Sequence, residues 1–331
     1  MQHKVLVTDT GLIDEVVNDQ QLARLKSIAD VVRKIPKSDE EMAEWIRDTD
    51  AIISGDSSLN GQILEKAEKL KIISRVGIGY DNIDLKTATR KGIIVTNLPG
   101  TLSDSVAEHA ILLMLAVARR LVTADACVRG GKWSQFYEHP PDIEVSGKIL
   151  GLVGLGAIGG AVAQRAKAFN MKVLVYDPYV DEKRISTIGC RRAQLEDLLR
   201  ESDVISVHTP LTTETKKLIA EREFDLMKKS AILINTARGA IVDEKSLIEA
   251  LKNGKITGAG VDVLTIEPPN PGNPLLSMSN VIFTPHSAAF TLDALKRLWV
   301  ASSDAVFRVL TGQLPQPPAN IVNREVVPLL K

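Results

Sequence analysis

The stretch Ile149-Leu150-Gly151-Leu152-Val153-Gly154-Leu155-Gly156-Ala157-Ile158-Gly159 decides how this chain folds. Its apolar opening reads as a buried strand, its three glycines in G-x-G-x-x-G spacing read as a tight turn, and Ala161 to Asn170 reads as the helix that follows. Such a glycine pattern alone is a weak signal, because glycine-rich turns occur in many loops. Context strengthens it: Lys172 to Asp177 follows as a second strand and completes a βαβ unit. Gly154 permits the tight turn, Gly156 lets a pyrophosphate approach the backbone, and Gly159 allows close packing of helix on strand. Amides at the helix N-terminus then hold the anion. Asp177 closes the second strand, where a carboxylate accepts hydrogen bonds from ribose hydroxyls and repels a 2′-phosphate, so the motif favours NAD over NADP. The plainer alternative for Asp177 is a cap on the turn at Pro178.

Outward from this unit, strand-like runs alternate with helical patterns almost throughout, which predicts an α/β protein with parallel sheets. Ile149 to Gly154, Lys172 to Asp177, Asp203 to Thr209, Ala231 to Thr236, Gly258 to Val263 and Val281 to Pro285 give the six strands of a full dinucleotide fold. The first third carries a weaker set at Lys4 to Thr8, Asp30 to Ile35, Ala51 to Ser54, Ile72 to Val76 and Ile93 to Asn97, enough for one smaller open sheet. Ser103 to Arg120 reads as a long helix bridging the two sets, with Ser103 as a candidate N-cap. Leu292 to Leu310 reads as a further helix, and the pattern alone does not say which sheet it joins.

Length and charge set the remaining bounds. At 331 residues, two domains are expected. Lys and Arg total 41 and so do Asp and Glu, leaving no electrostatic footprint for nucleic acid or an anionic membrane. The apolar stretch Ala110 to Ala118 is too short to span a bilayer. Cys127 and Cys190 match no metal or disulfide spacing, no metal site is expected, and the N-terminus lacks the pattern of a signal peptide. These features predict a cytoplasmic protein whose partners are small molecules or copies of itself.

With a nicotinamide cofactor expected, reduction of a carbonyl needs a proton donor, a cation to polarise the oxygen and hold any acid group beside it, and a group that sets the donor's pKa. Three strand ends offer them: His286 after Val281 to Pro285, Arg238 after Ile232 to Ala237, and Glu267 just beyond Val261-Asp262-Val263. Carboxyl ends of strands line the ligand crevice of an open α/β sheet. An adjacent carboxylate keeps an imidazole protonated, and arginine's planar fork grips a carboxylate at two points. Singly, these residues read as well as a capped strand-end histidine, a surface ion pair and a solvated loop acid.

Over nearly its whole length the sequence resembles the D-isomer-specific 2-hydroxyacid dehydrogenases. The residues that carry the resemblance are Gly77-Ile78-Gly79-Tyr80-Asp81-Asn82-Ile83-Asp84, the Gly154 fingerprint, His208-Thr209-Pro210-Leu211-Thr212, Asn235-Thr236-Ala237-Arg238-Gly239, Gly260-Val261-Asp262-Val263 with Glu267-Pro268, and Thr284-Pro285-His286-Ser287-Ala288-Ala289. The resemblance implies that His286 is the general acid and base, that Glu267 pairs with it, and that Arg238 binds substrate. It implies further that amides around Val76 and Gly77 receive the substrate carboxylate, that Thr209 and Pro210 border the adenine side, and that Asp262 approaches the nicotinamide amide. Ala157, Ile158, Thr236, Ala237 and the Ser287 to Ala289 run, Ala288 included, line the NAD site on the same basis. Asp262 also reads as a buried turn acid, His208 as packing or adenine-side lining, and His109 as a structural histidine on the bridging helix.

The family architecture implies two Rossmann-like domains. A doubly wound NAD-binding domain, residues 102–290, is inserted into a smaller flavodoxin-like substrate domain, residues 1–101 and 291–331, and the two crossings act as a hinge. The bridging helix and the Gly130-Gly131-Lys132-Trp133 loop resemble the family's homodimer surface. The implied reaction is hydride transfer between NAD and C2 of a small D-2-hydroxy acid or 2-oxo acid. A second reading is kept, because relatives with this fold also serve as NAD-sensing binding proteins such as corepressors. For the substrate, Ser54-Gly55-Asp56-Ser57-Ser58 stands where the phosphoglycerate dehydrogenase branch commonly places a phosphate-binding arginine. That acid, and a chain end without a regulatory extension, predict an uncharged side group as in glyoxylate, hydroxypyruvate, pyruvate or a branched 2-oxo acid. Arg75 is the alternative phosphate anchor.

Overall fold

The structure, a computed structural model, describes residues 2–8 and 19–330. The chain forms two compact units, Met1–Leu102 with Phe290–Lys331, and Ser103–Ala289.

In the first unit, strands β1 (His3–Val7), β2 (Ala29–Arg33), β3 (Ala51–Ser54), β4 (Ile72–Arg75) and β5 (Ile94–Asn97) lie parallel in the order β5-β4-β3-β1-β2. That is the flavodoxin-like order. Between the strands run α1 (Asp19–Lys26), α2 (Asp39–Ile46), α3 (Gly61–Glu65) and α4 (Leu85–Arg90). β3, β4 and β5 are buried along their length, as continuous apolar runs covered on both faces should be.

The second unit holds α5 (Ser103–Ala118), α6 (Leu121–Arg129), β6 (Ile149–Val153), α7 (Ala157–Ala168), β7 (Lys172–Tyr176), α8 (Glu182–Thr187), β8 (Arg191–Arg192), α9 (Leu195–Glu201), β9 (Val204–Val207), α10 (Glu221–Leu226), β10 (Ile232–Asn235), α11 (Glu244–Lys252), β11 (Gly258–Val261) and β12 (Val281–Phe283). Its parallel sheet runs β12-β11-β10-β9-β6-β7-β8, so the chain winds outward in both directions from β6. The six expected strands are present; β8 is a two-residue addition. α5 belongs wholly to this unit and packs on α7, β10 and β11.

Two helical expectations meet their answers here. α12 (Leu292–Leu310) lies in the first unit against β3 and β4, burying Leu295, Leu298, Trp299 and Val306. Its Thr291 cap accepts from the Ala294 amide at 3.2 Å. After it, β13 (Asn320–Ile321) adds antiparallel to β5. Ser103, in contrast, is not an N-cap. It is the first residue inside α5, and its hydroxyl is buried without a hydrogen-bond partner.

Glycines set how closely helices approach the large sheet. An ideal Cβ on Gly151 would fall 2.5 Å from Leu198 Cδ2 and 2.3 Å from Ser202 Oγ, so α9 rests directly on the β6 backbone. Gly151→Val is expected to lower unfolding free energy by about 2–3 kcal/mol in urea titrations. An unchanged midpoint would show that α9 retreats at no cost.

Candidate active site

The carboxyl ends of six neighbouring parallel strands bring the expected residues of the second unit to one edge of its sheet. In spatial order these are His286 after β12, Asp262 and Glu267 after β11, Thr236 to Arg238 after β10, His208 to Pro210 after β9, the Gly154 turn after β6, and Asp177 after β7.

The glycine turn has a separate reason for each glycine. Gly154 has φ +99°, and a Cβ there would lie 2.9 Å from the His208 carbonyl carbon. A Cβ on Gly159 would lie 2.3 Å from the Gly154 carbonyl oxygen, whereas one on Gly156 would meet no atom within 4 Å. Gly156 also caps α7 without any side-chain hydrogen bond to the first turn. An open backbone face at an uncapped helix N-terminus fits a pyrophosphate. Nearby, Thr236 Oγ1 is buried with no hydrogen-bond partner, an orphaned polar atom at the strand ends that suits a bound polar ligand.

Asp177 takes two backbone amides, and the second gives its plainer expected reading, the cap on the turn at Pro178. Its Oδ2 accepts from the Leu155 amide at 2.8 Å, tying the end of β7 to the glycine turn, and its Oδ1 accepts from the Tyr179 amide at 2.9 Å, capping the turn at Pro178. His208, just past the end of β9, faces Ser206 of that strand, Nε2 to Oγ at 2.8 Å. Desolvation pushes its imidazole down to about 4, so it is neutral near pH 7.

His286 Nδ1 lies 2.7 Å from Glu267 Oε2. The other Glu267 oxygen accepts from the Leu264 amide at 2.8 Å. Burial pushes the Glu267 pKa upward, but the hydrogen bonds from His286 and Leu264 and the charges of His286 and Arg238 outweigh it and hold the carboxyl below its ordinary value. The carboxylate is therefore ionised beside the imidazole and favours its protonated form. The Arg238 turn is closed by Asn235, whose side chain accepts from the Ala237 amide and donates to the Arg238 carbonyl, each at 3.0 Å. Gly239 lets this turn press on the backbone of Leu264, because a Cβ there would lie 2.0 Å from the Leu264 carbonyl carbon. Arg238 and Glu267 are thus placed by one backbone contact.

His286 has φ +52°, a left-handed conformation that costs a non-glycine residue about 1–2 kcal/mol. Its amide donates to the Asp262 carbonyl at 2.8 Å and to the Thr284 carbonyl at 3.0 Å. The Asp262 side chain, fully buried, accepts from the Thr284 hydroxyl and from the Ser287 and Ala288 amides, the last two at 2.8 and 3.0 Å. Asp262 therefore matches the buried-acid reading: both of its oxygens are engaged by the turn that carries His286. The Thr284 hydroxyl also meets His109 Nε2 at 2.8 Å. Sequence reasoning missed Asn235, Thr284 and this contact of His109, since none stands out by residue type.

In the first unit, Val76 and Gly77 open a turn held from behind through its carbonyls. Val76 and Gly79 carbonyls accept from the Arg75 guanidinium at 2.6 and 2.9 Å, Gly77 from the Leu98 amide at 2.8 Å, and Ile78 from Asn97 Nδ2 at 2.8 Å. The Val76 amide donates to Ser54 and the Gly77 amide to Arg75, so neither is the simple open donor expected. A trans peptide points its N–H opposite its C=O, which leaves the Ile78 and Gly79 amides facing away from those donors. Arg75, nearly buried, also pairs with exposed Asp56 at 2.7 Å.

The sequence profile of the D-isomer specific 2-hydroxyacid dehydrogenase NAD-binding domain matches residues 111–288, more than half of the chain. The chain belongs to this family. A glyoxylate reductase from Korarchaeum cryptofilum is 43% identical over 296 residues, 88% of each chain. A D-3-phosphoglycerate dehydrogenase from Methanocaldococcus jannaschii is 41% identical over 98% of this chain, which spans only 60% of that enzyme's length. The crystal structure of D-lactate dehydrogenase from Aquifex aeolicus, complexed with NAD and lactic acid, superposes with a TM-score of 0.85 at 33% identity, covering 97% of this chain and 99% of that one. As a D-2-hydroxyacid dehydrogenase, the chain is an NAD-dependent oxidoreductase acting at the C2 position of 2-hydroxy and 2-oxo acids. Among the described residues, no helix is long and apolar enough to cross a membrane, and no cluster suits a metal ion.

The low His208 pKa has a consequence for stability. Between 6.5 and about 4 the unfolded chain binds a proton at His208 that the folded chain does not, so stability falls as pH drops through this window. His208→Gln is expected to flatten that part of the profile in urea titrations at pH 7 and 4.5. An identical slope in the variant would assign the proton to another group.

Proposed function

We propose that Arg238, Glu267 and His286 are the catalytic set, and that the turn at Val76 to Gly79 receives the substrate carboxylate. The observation that carries this reading is the 2.7 Å contact between His286 Nδ1 and an ionised Glu267 at the ends of adjacent strands. When bound, the nicotinamide supplies the hydride to C2 or takes it away. His286, with Nδ1 held by Glu267, presents Nε2 as the atom that donates a proton to the substrate oxygen in reduction and removes it in oxidation. Arg238 binds the carboxylate and polarises the carbonyl through its planar fork.

NAD is read as lying over Gly154, Gly156, Ala157, Ile158 and Gly159, with its adenosine ribose at Asp177 and its adenine beside His208, Thr209 and Pro210. Thr236, Ala237 and Ala288 would line the remainder, with Asp262 contributing through the 284–288 turn. Residues 102–290 would then bind the cofactor, and residues 1–101 and 291–331 the acid.

An uncharged side group, as in glyoxylate, hydroxypyruvate, pyruvate or a branched 2-oxo acid, is favoured by the Asp56–Arg75 pair. Arg75 already serves two backbone carbonyls, and its third partner is a carboxylate that would repel a phosphate. A homodimer is favoured by the apolar side chains that α5, α6 and the 3₁₀ turn Trp133–Glu138 leave exposed, among them Leu112, Leu121, Val122, Val128, Trp133 and Tyr137. Light scattering at the mass of one chain would overturn it. Two free cysteines, one of them buried, suit a reducing cytoplasm. The sensor reading gains nothing from the relatives named above, each of which bears the name of an enzyme.

The test is NADH oxidation with glyoxylate, pyruvate, hydroxypyruvate and 3-phosphohydroxypyruvate. His286→Ala should lower kcat by about two to four orders of magnitude while NADH affinity is kept. Arg238→Lys should damage KM and kcat together. Near-wild-type rates in both variants would remove the assignment.

A further inference from the structure

We propose that His109, on α5, is a positioning residue for the reaction: it holds the Thr284 hydroxyl against Asp262 and so fixes the turn that presents His286. This rests on the reading of His286 as the proton donor.

The direction of each bond follows from donor counting. Asp262 accepts two backbone amides, so its carboxylate has acceptor sites to fill, and the single Thr284 hydroxyl proton goes to it. Thr284 Oγ1 must then accept in its 2.8 Å contact with His109, which makes Nε2 the protonated ring nitrogen. The same N–H lies 3.5 Å from Asp262 Oδ1, facing a carboxylate whose side chain is 0% exposed. His109 thereby hydrogen-bonds Thr284 and stands close to the acid that the Thr284 hydroxyl serves.

The geometry that delivers His109 there is a match of periods. Val117, Leu113 and His109 stand four residues apart on one face of α5, about 6 Å per step along the axis. Gly258, Gly260 and Asp262 stand two residues apart on one face of β11 and its extension, about 6.6 Å per step. A Cβ on Gly258 would lie 3.1 Å from Val117 Cγ1, and a Cβ on Gly260 2.9 Å from Leu113 Cβ. The third step of the same stripe brings His109 to Asp262. Two glycines let the helix sit on the strand, and at the strand end the apolar contact becomes a polar one. A helix locked in this way transmits its position to Thr284, Ser287 and Ala288, and between those residues lies the left-handed His286.

The experiment uses the full chain and whichever of glyoxylate, pyruvate or hydroxypyruvate the wild type reduces. His109→Phe keeps the ring and removes the donor; His109→Gln places an amide donor at similar reach; Thr284→Val removes one hydroxyl at constant shape. His109→Phe is expected to lower kcat about 10- to 100-fold, because a small displacement of the reacting group is costly. His109→Gln should recover to within about fivefold of wild type. Thr284→Val should match the loss in His109→Phe, and the double variant should be no worse than either alone, as for two members of one chain of contacts. A lowered Tm with kcat unchanged in His109→Phe would make the contact merely structural and overturn the proposal. So would independent, multiplying losses in the double variant, or equal losses in the Phe and Gln variants. Should His109→Phe fail to fold, an unchanged kcat in Thr284→Val overturns the proposal by itself. If His286→Ala is inactive while these variants are not, only the positioning role fails; if His286→Ala is active, the reading beneath it fails.

Discussion

A carboxylate taken wholly out of water is the constraint around which the catalytic edge is arranged. A carboxyl group buried like that of Asp262 is tolerated only when its oxygens are satisfied. The donors that satisfy it come from residues 284, 287 and 288, one turn of chain. Solvating the acid and shaping the turn are therefore one requirement. The unfavourable φ of His286 persists because its amide is held by the Asp262 and Thr284 carbonyls while its neighbours are held by the Asp262 side chain.

A second requirement joins β10 to β11. Gly239 has no room for a Cβ because the Leu264 backbone occupies it, and the Leu264 amide is what orients Glu267. The loop bearing Arg238 and the loop bearing Glu267 thus share a contact between backbones, which side-chain motion does not loosen. Glycine serves three ends here: a positive φ at Gly154, the approach of helix to sheet at Gly151 and Gly260, and the approach of loop to loop at Gly239. Only the first is a matter of conformational freedom.

Much of this was legible in the sequence, and the exceptions share a cause. The parallel strands were visible because strands covered on both faces must be apolar throughout, as β9 and β10 are. The glycine turn was visible because its spacing reflects the geometry of one local turn. β8 and β13 were not, because two residues carry no periodicity and their pairing depends on strands far along the chain. Ser103 looked like a cap by residue type, but where a helix begins is settled by the packing of its first turn. His109 read as a structural histidine, as its buried hydrogen bond agrees, but its partner, Thr284, was invisible because it lies 175 residues away. Likewise Arg75 and Asp56 each suggested a substrate contact, and their contact with each other was invisible until β3 and β4 were paired. Local geometry leaves a local pattern; tertiary contacts between unremarkable residue types leave none.

The absence of net charge also acquires a physical sense. A chain with 41 basic and 41 acidic residues has no net charge to draw in an anionic cofactor and an anionic acid. In the proposed reading, oriented peptide groups take part in holding each anion: the uncapped first turn of α7 at Gly156 for the cofactor, and the 76–79 turn, whose carbonyls are all taken from behind, for the acid that Arg238 also binds. Dipoles fixed by the fold need no counterion and no rearrangement when the ligand arrives. Two arginines add a directed charge to this arrangement. Arg75 braces a turn from within, and Arg238 stands beside the pair His286–Glu267, where its charge helps keep Glu267 ionised. That ionised carboxylate is what an imidazole needs if it is to carry a proton to the substrate near neutral pH.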